Sequence, residues 1–425
     1  MANEMNPELG RLVLRSLLQE RSLLGPLRVL YESVGRVFRI PLPTFHPFVV
    51  GGPQASRTVL VTHRHEVRWR NPDPVTDVLR RGVLVTDGDE HDNYRCLMEN
   101  ELHPSALPSY VGIMVTKTDR ISATWADGHV VDMLVEGRKI ALLIVMQALF
   151  SVDAWDDLPS IWTPVLKTIE YISPGPWILW RHMPRPGFKK HMRILDDYLY
   201  GIIKRRREQP KQLDLLQHLI DGGLDDGRIR DQMLTMLIAG HDTSTALLAW
   251  TFYLLGTHTD TYAQLVRGID ESIGIEAPTA VSGWQPRLLD HVIKEVLRLY
   301  PPIHIGNRMV HEDLEFEGQT VRAGERLFYS IYLTHRDSEY WENANDFHPE
   351  RFAAGSKTPP FAYIPFGGGP RSCIGAAFGQ AEARLVIARL LQTHAFEPVD
   401  LRVRAHMGAT LEPRPGVFMR VSKRK

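Results

Sequence analysis

The chain predicts a mainly α protein with a small β portion, and three features carry that expectation. Helical periods closed by Pro or Gly recur over residues 88–103, 106–125, 137–151, 188–208, 228–257, 285–300 and 374–393. Short β-like runs are confined to 36–40, 47–50, 57–61, 308–331 and 416–422. Helical and strand patterns do not alternate as βαβ units would. No repeat, low-complexity linker or charge block divides the sequence, so residues 1–425 read as one domain.

Taken in order, the first segment without ambiguity of period is RLVLRSLLQERSLLG, an amphipathic stretch carrying Arg11, Arg15 and Arg21. It suits a membrane surface, but the ordinary helix pattern favours a first helix packed on its own domain. The start, MANEMNPELG, has no basic region followed by an apolar run, so no secretory signal is expected. SPGPWILWRHMPRPG, Ser173 to Gly187, mixes Pro, Gly and aromatics as a mobile lid would. The longest apolar run, Met233 to Leu255, is long enough to span a bilayer. His241 and Asp242 sit at its middle beside Thr243, Ser244 and Thr245, which points instead to a buried helix with a polar task. His348 to Gly369 is a long irregular stretch of the kind that is often functional.

Composition narrows the function. Fifty Lys+Arg balance fifty Asp+Glu, so no global field draws in nucleic acid or an acidic membrane. Two cysteines, Cys96 and Cys373, make no disulfide framework and suit a reducing, cytoplasmic setting. Cys96 reads as a buried, inert thiol.

Cys373 lies in FGGGPRSCIG, Phe366 to Gly375, just ahead of IGAAFGQAEARLVIARLL, where Phe378, Ala381, Leu385 and Ala388 repeat at helical spacing. A cysteine at a helix start meets unpaired N–H groups and the positive end of the dipole, which favour a thiolate. The glycines let backbone pass close to a flat ligand, and Arg371 offers a fixed positive charge to an anionic group. Zinc needs clustered ligands that are not nearby. A single thiolate as the only protein ligand suits an iron held by a macrocycle, and an ordinary structural cysteine suits the same residues.

Phe366, Gly369, Arg371, Cys373 and Gly375 together resemble the haem-ligand signature of the cytochrome P450 superfamily, the handiest example of cysteine-thiolate haem ligation. The resemblance implies an α-helical triangular prism with minor sheets, and haem b (iron protoporphyrin IX) as cofactor. It implies Cys373 as axial iron ligand, Phe366 and Gly367 beside the sulfur, and Arg371 on a haem propionate.

Three further segments stand in the family's order. In AGHDTS, Thr243 can bond back to the Ala239 carbonyl while Gly240 weakens the same turn. The resemblance makes Asp242 and Thr243 the acid–alcohol pair that delivers protons, with a local opening of the helix between them and the haem. In EVLRLYPP, Glu295 and Arg298 share a helix face, and Arg351 of HPERF completes an ion-pair trio assigned to scaffold. In GDEHDNYRC, His91 and Arg95 lie four apart on one face, matching family positions that contact propionates, as Arg308 of GNRMV does. By position, Thr235, Ile238, Ala239, Ile303, His304 and Ile305 should line the substrate pocket.

The implied activity is insertion of one oxygen atom from O2 into a hydrophobic small molecule. Electrons would come ultimately from NAD(P)H through a separate ferredoxin- or flavodoxin-type partner, since no flavin or iron–sulfur segment follows SKRK. No transmembrane anchor is expected. A peroxide-driven peroxygenase and a haem-based gas sensor are the alternatives, and the Asp242–Thr243 pair speaks against both.

Overall fold

A computed structural model describes all residues except 1–6, 41–45, 70–72, 176–184, 280–286, 354, 356–357 and 425. The middle of the expected lid therefore lies outside the described residues. In chain order the helices are α1 (Pro7–Glu20), α2 (Leu24–Val34), α3 (Pro53–Arg57), α4 (Pro74–Leu79), α5 (Gly88–Leu102), α6 (Leu107–Ser122), α7 (Met133–Phe150) and α8 (Leu158–Ile172). They continue as α9 (Phe188–Glu208), α10 (Leu215–Asp221), α11 (Asp226–Thr257), α12 (Thr259–Ile273), α13 (Arg287–Leu299), α14 (Ile331–Thr334) and α15 (Ala376–Thr393).

The strands are short: β1 (Val37–Arg39), β2 (Phe48–Val50), β3 (Val67–Arg68), β4 (Val130–Asp132), β5 (Ile305–Val310), β6 (Leu314–Phe316), β7 (Gln319–Val321) and β8 (Arg326–Ser330). Near the C-terminus follow β9 (His394–Asp400), β10 (Arg404–Met407), β11 (Leu411–Arg414) and β12 (Phe418–Lys423). The largest sheet runs β1-β2-β8-β5-β3. Its β2–β8 pairing is parallel and the others antiparallel. A second sheet runs β4-β12-β9, and β6-β7 and β10-β11 are hairpins.

Two helices organise the core. α7 reads apolar almost all round, and every residue from Ile140 to Met146 is fully buried, as a helix with no solvent face should be. Asp132 starts it by accepting from the Leu134 N–H. α11, 32 residues long and so about 48 Å, runs along α7. Gly240 permits that closeness, because a Cβ there would lie 2.9 Å from Val145 Cγ2. α11 also packs on α9, α13 and α15, so a polar segment at its middle is held from all sides.

Three expectations are corrected. Residues 57–61, RTVLV, are not a strand: Pro53 opens α3 and the chain continues as one wide helical turn over Thr58–Thr62. Short apolar runs do not distinguish buried strand from buried helix; here Val59 and Leu60 are buried against the large sheet. Cys96 is exposed on α5 rather than buried. The opening expected in the long helix is not seen, for α11 is continuous from Asp226 to Thr257. Helix α8 escaped the periodic reading because Pro164 interrupts it.

Candidate active site

The loop before α15 is built from glycine. Gly367 and Gly369 have φ of +71° and +66°, a region L side chains rarely adopt. At Gly369 a Cβ would also lie 2.2 Å from the Leu60 carbonyl oxygen, so the wide turn at Thr58–Thr62 and this loop meet backbone to backbone. The Cys373 N–H donates to the Phe366 carbonyl at 2.8 Å, which closes the loop. Cys373 stands three residues ahead of α15, not in its first turn. Its exposure is to a large internal cavity, deep in the protein. Burial pushes its thiol up, while the Gly375 backbone and the Arg95 charge pull it toward thiolate.

That cavity has a volume of about 1390 Å³. One wall gathers His91, Arg95, Arg308 and Arg371, from α5, β5 and the Cys373 loop. Arg371 donates to Leu84 O at 3.0 Å, Thr86 O at 2.7 Å and Asp87 Oδ1 at 2.8 Å. Both its terminal nitrogens are thus used to tie the loop down. Arg95 donates to Ser372 O and Arg308 to Asn307 O, each at 2.8 Å, with no carboxylate partner among the described residues. Burial, with Arg308 and Arg95 nearby, drives the Arg371 guanidinium down to about 10 despite Asp87. Burial first, and then the Arg371 and Arg95 charges, hold His91 below its ordinary value against Asp92. Three guanidiniums crowding one carboxylate form a wall that favours a further anion.

The facing helix is α11. Thr243 Oγ1 donates to Ala239 O at 2.7 Å, as the spacing predicts. Asp242 is 1% exposed. Burial pushes its carboxyl up, and the Arg138 charge and Thr410 hydroxyl oppose the rise. Arg138 Nη2 donates to Asp242 Oδ1 at 2.9 Å and also to Glu412 Oε1. Thr410 Oγ1 donates to Asp242 Oδ2 at 2.9 Å. Glu412 in turn accepts from Arg414 at 2.9 Å, whose side chain is 55% exposed. A string of charged groups therefore runs from Asp242 to the surface. The residue reading missed Arg138 and Glu412, and only their distance in sequence hid them.

Thr235, Ile238, Ala239, Ile303, His304, Ile305, Phe366 and Gly367 all line the same cavity. Trp69, Tyr171, Phe188, Met236 and Leu27 join them and were not foreseen. Glu295, Arg298 and Arg351 do not line it. Arg298 donates to Glu295 at 2.7 and 2.8 Å, and Arg351 at 3.0 Å. The other Arg298 donors reach His335 O, Ala344 O and Asp346 O. The trio pins α13 to the irregular stretch after His348.

Comparison with known proteins decides the family: the Cytochrome P450 family model matches residues 6–417. The chain belongs to the cytochrome P450 family. It is 30% identical to pentalenene oxygenase of Streptomyces avermitilis, over 84% of this chain and 83% of that protein. It is 30% identical to putative cytochrome P450 139 of Mycobacterium bovis, over 80% and 84%. It is also 27% identical to cyclooctat-9-en-7-ol 5-monooxygenase of Streptomyces melanosporofaciens, over 86% and 83%. This P450 is a haem monooxygenase, and the residues fit the cofactor: a lone cysteine on a glycine loop, a cavity of sufficient size, and a wall whose three guanidiniums share a single carboxylate, Asp87, and so suit its carboxylates. No helix among the described residues is long and apolar enough to cross a membrane.

Proposed function

We propose that this P450 oxygenates a hydrophobic small molecule of terpenoid type, with electrons drawn ultimately from NAD(P)H through a separate ferredoxin- or flavodoxin-type protein. The observation that carries the reading is Cys373 and the Asp242–Thr243 pair on one apolar cavity of about 1390 Å³. The two Streptomyces relatives, named for pentalenene and cyclooctat-9-en-7-ol, support the terpenoid class.

Cys373 would hold the haem iron, and Arg95, Arg308 and His91 would take its carboxylates. Arg371, with both terminal nitrogens engaged by protein, contributes charge more than direct bonds. Bound there, haem supplies activation of dioxygen, favoured by thiolate ligation. The chain's own residues move the protons. Thr243 commits its hydroxyl proton to Ala239 O, so its oxygen is left to accept a hydrogen bond in the cavity. Asp242 has a carboxyl raised by burial, and Arg138 ties it to Glu412 and half-exposed Arg414; the guanidiniums orient the carboxylates, and the carboxyl itself carries the proton. Rotation of Asp242 away from Arg138 would carry a proton inward.

The test is spectroscopic. Reduced protein under carbon monoxide should give the Soret band of thiolate ligation, and Cys373→Ala should abolish it. Persistence of that band in the variant would remove Cys373 as ligand. Thr243→Ala should consume reductant at near the parental rate while releasing peroxide in place of product. Unchanged coupling, or equal turnover of the parent on peroxide alone, would favour the peroxygenase reading.

A further inference from the structure

We propose that α1 seats this enzyme on an anionic lipid bilayer, with the mouth of its cavity against the bilayer surface. Arg11, Leu14, Arg15 and Leu18 stand at i, i+3, i+4 and i+7, so they share one face of α1. That face is turned outward: Leu14 is 55% and Leu18 67% exposed, and Arg11 and Arg15 are exposed beside them. Leu12, at 47%, and Leu23, at 50%, widen the apolar surface. Of the thirteen large apolar side chains exposed among the described residues, four fall within residues 12–23. Singly scattered apolar residues need no explanation, whereas such a cluster does.

The other side of the same helix touches the cavity. Val13 and Leu17 line it, as do Leu23 and, from α2, Leu27 and Leu30. Leu23 is both half-exposed and cavity-lining, as are Leu84 and Ile303, so one edge of the cavity reaches the surface beside α1. One 14-residue helix thus carries the outer apolar face and the inner cavity wall back to back.

Charge selects the occupant. Arg11, Arg15 and Arg21 are exposed and make no ion pair among the described residues. The neighbouring Glu20 is neutralised by Arg28 at 2.6 Å. Arginine between leucines on one face would be stranded in the dry centre of a protein interface, where charged residues are depleted. At a bilayer the leucines enter the acyl boundary while the guanidiniums extend to phosphates. At about 21 Å, α1 is too short to span and lies along the surface. Entry of apolar substrate from the lipid rests on the reading of the cavity given above; the seat itself does not.

Holoenzyme would be floated with vesicles of phosphatidylcholine alone or mixed equally with phosphatidylglycerol. Binding to the anionic vesicles, weakened by added salt and near absent on the neutral ones, is expected. Leu14→Asp with Leu18→Asp should abolish it without changing the carbon monoxide spectrum. Neutralising Arg11, Arg15 and Arg21 to Gln should lower vesicle affinity on the order of 100-fold at low salt. No binding by the parent enzyme, or equal binding by either variant, overturns the proposal. So does sedimentation showing that the leucine variant instead dissociates a dimer. Because the readout is flotation, failure of the seat and failure of the proposed chemistry are told apart.

Discussion

Arg298 and Arg308 are both buried, at 0% and 7% exposure, yet their surroundings differ in kind. Around Arg298 the protein answers every donor: two bonds to Glu295 and three to carbonyl oxygens. Glu295 is completed by Arg351 and by the His348 N–H. Around Arg308 the protein supplies one carbonyl, two aromatic faces at 5.5 and 5.8 Å, and other cations. A buried charge is tolerated only when compensated. The first arginine is compensated by the fold, which makes it scaffold; the second is left for something the chain does not encode.

Breaking the first region should have the largest effect. Glu295→Ala leaves Arg298 and Arg351 without their shared carboxylate, and loss of one partner from such a buried set costs about 3–5 kcal/mol. The expected outcome is little soluble holoprotein, read from expression yield and haem content per polypeptide. Normal haem content in the variant would show that the trio's carbonyl bonds hold α13 unaided.

The second region should respond with the opposite balance. Arg308→Met keeps volume and removes a charge that presses on Arg371. Unfolding of the polypeptide, followed by far-ultraviolet circular dichroism, should shift by less than about 1 kcal/mol. Haem loss to an acceptor protein should accelerate by roughly 10–100-fold, since a charged hydrogen bond is worth about 1.5–3 kcal/mol. A variant that loses stability as Glu295→Ala does, with unchanged haem transfer, would make Arg308 scaffold as well.

The two regions also mark how far sequence reading reaches. Contacts within one turn were legible: Thr243 to Ala239 and Arg298 to Glu295 follow from i−4 and i−3 spacing. So was the glycine loop at Cys373, because positive φ and backbone contact demand glycine locally. The partners of Asp242 were not. Arg138 sits 104 residues away and Thr410 168 away. Arg138 lies in a run whose periodicity says only that it is core, and no local rule links it to a β-hairpin at the other end of the chain. The run at 57–61 misled for a related reason: β-branched residues fit a strand by propensity, and tertiary packing against Gly369 decided otherwise.

Glu382 on α15 offers a third way to bury an ionisable group, and its expected effect is a slope with pH rather than a loss of holoprotein. It is wholly buried, accepts from Ser244 Oγ at 2.5 Å, and forms no ion pair among the described residues. Burial outweighs that bond and pushes its carboxyl up to about 8. The native state therefore holds a proton that the unfolded chain, titrating near the usual carboxylate value, has already released. Stability then falls as pH rises from about 5 to about 8, by roughly 1.4 kcal/mol per pH unit, and levels off above. Glu382→Gln should remove that slope while keeping shape, so the variant gains on the parent with each unit of pH across the window. Urea unfolding of both proteins at several pH values measures it. Parallel curves would mean that Glu382 is ionised when folded, with its charge met by a cation as at Glu295; a carboxylate so held would add stability above its pKa, which is the reverse of the dependence expected here.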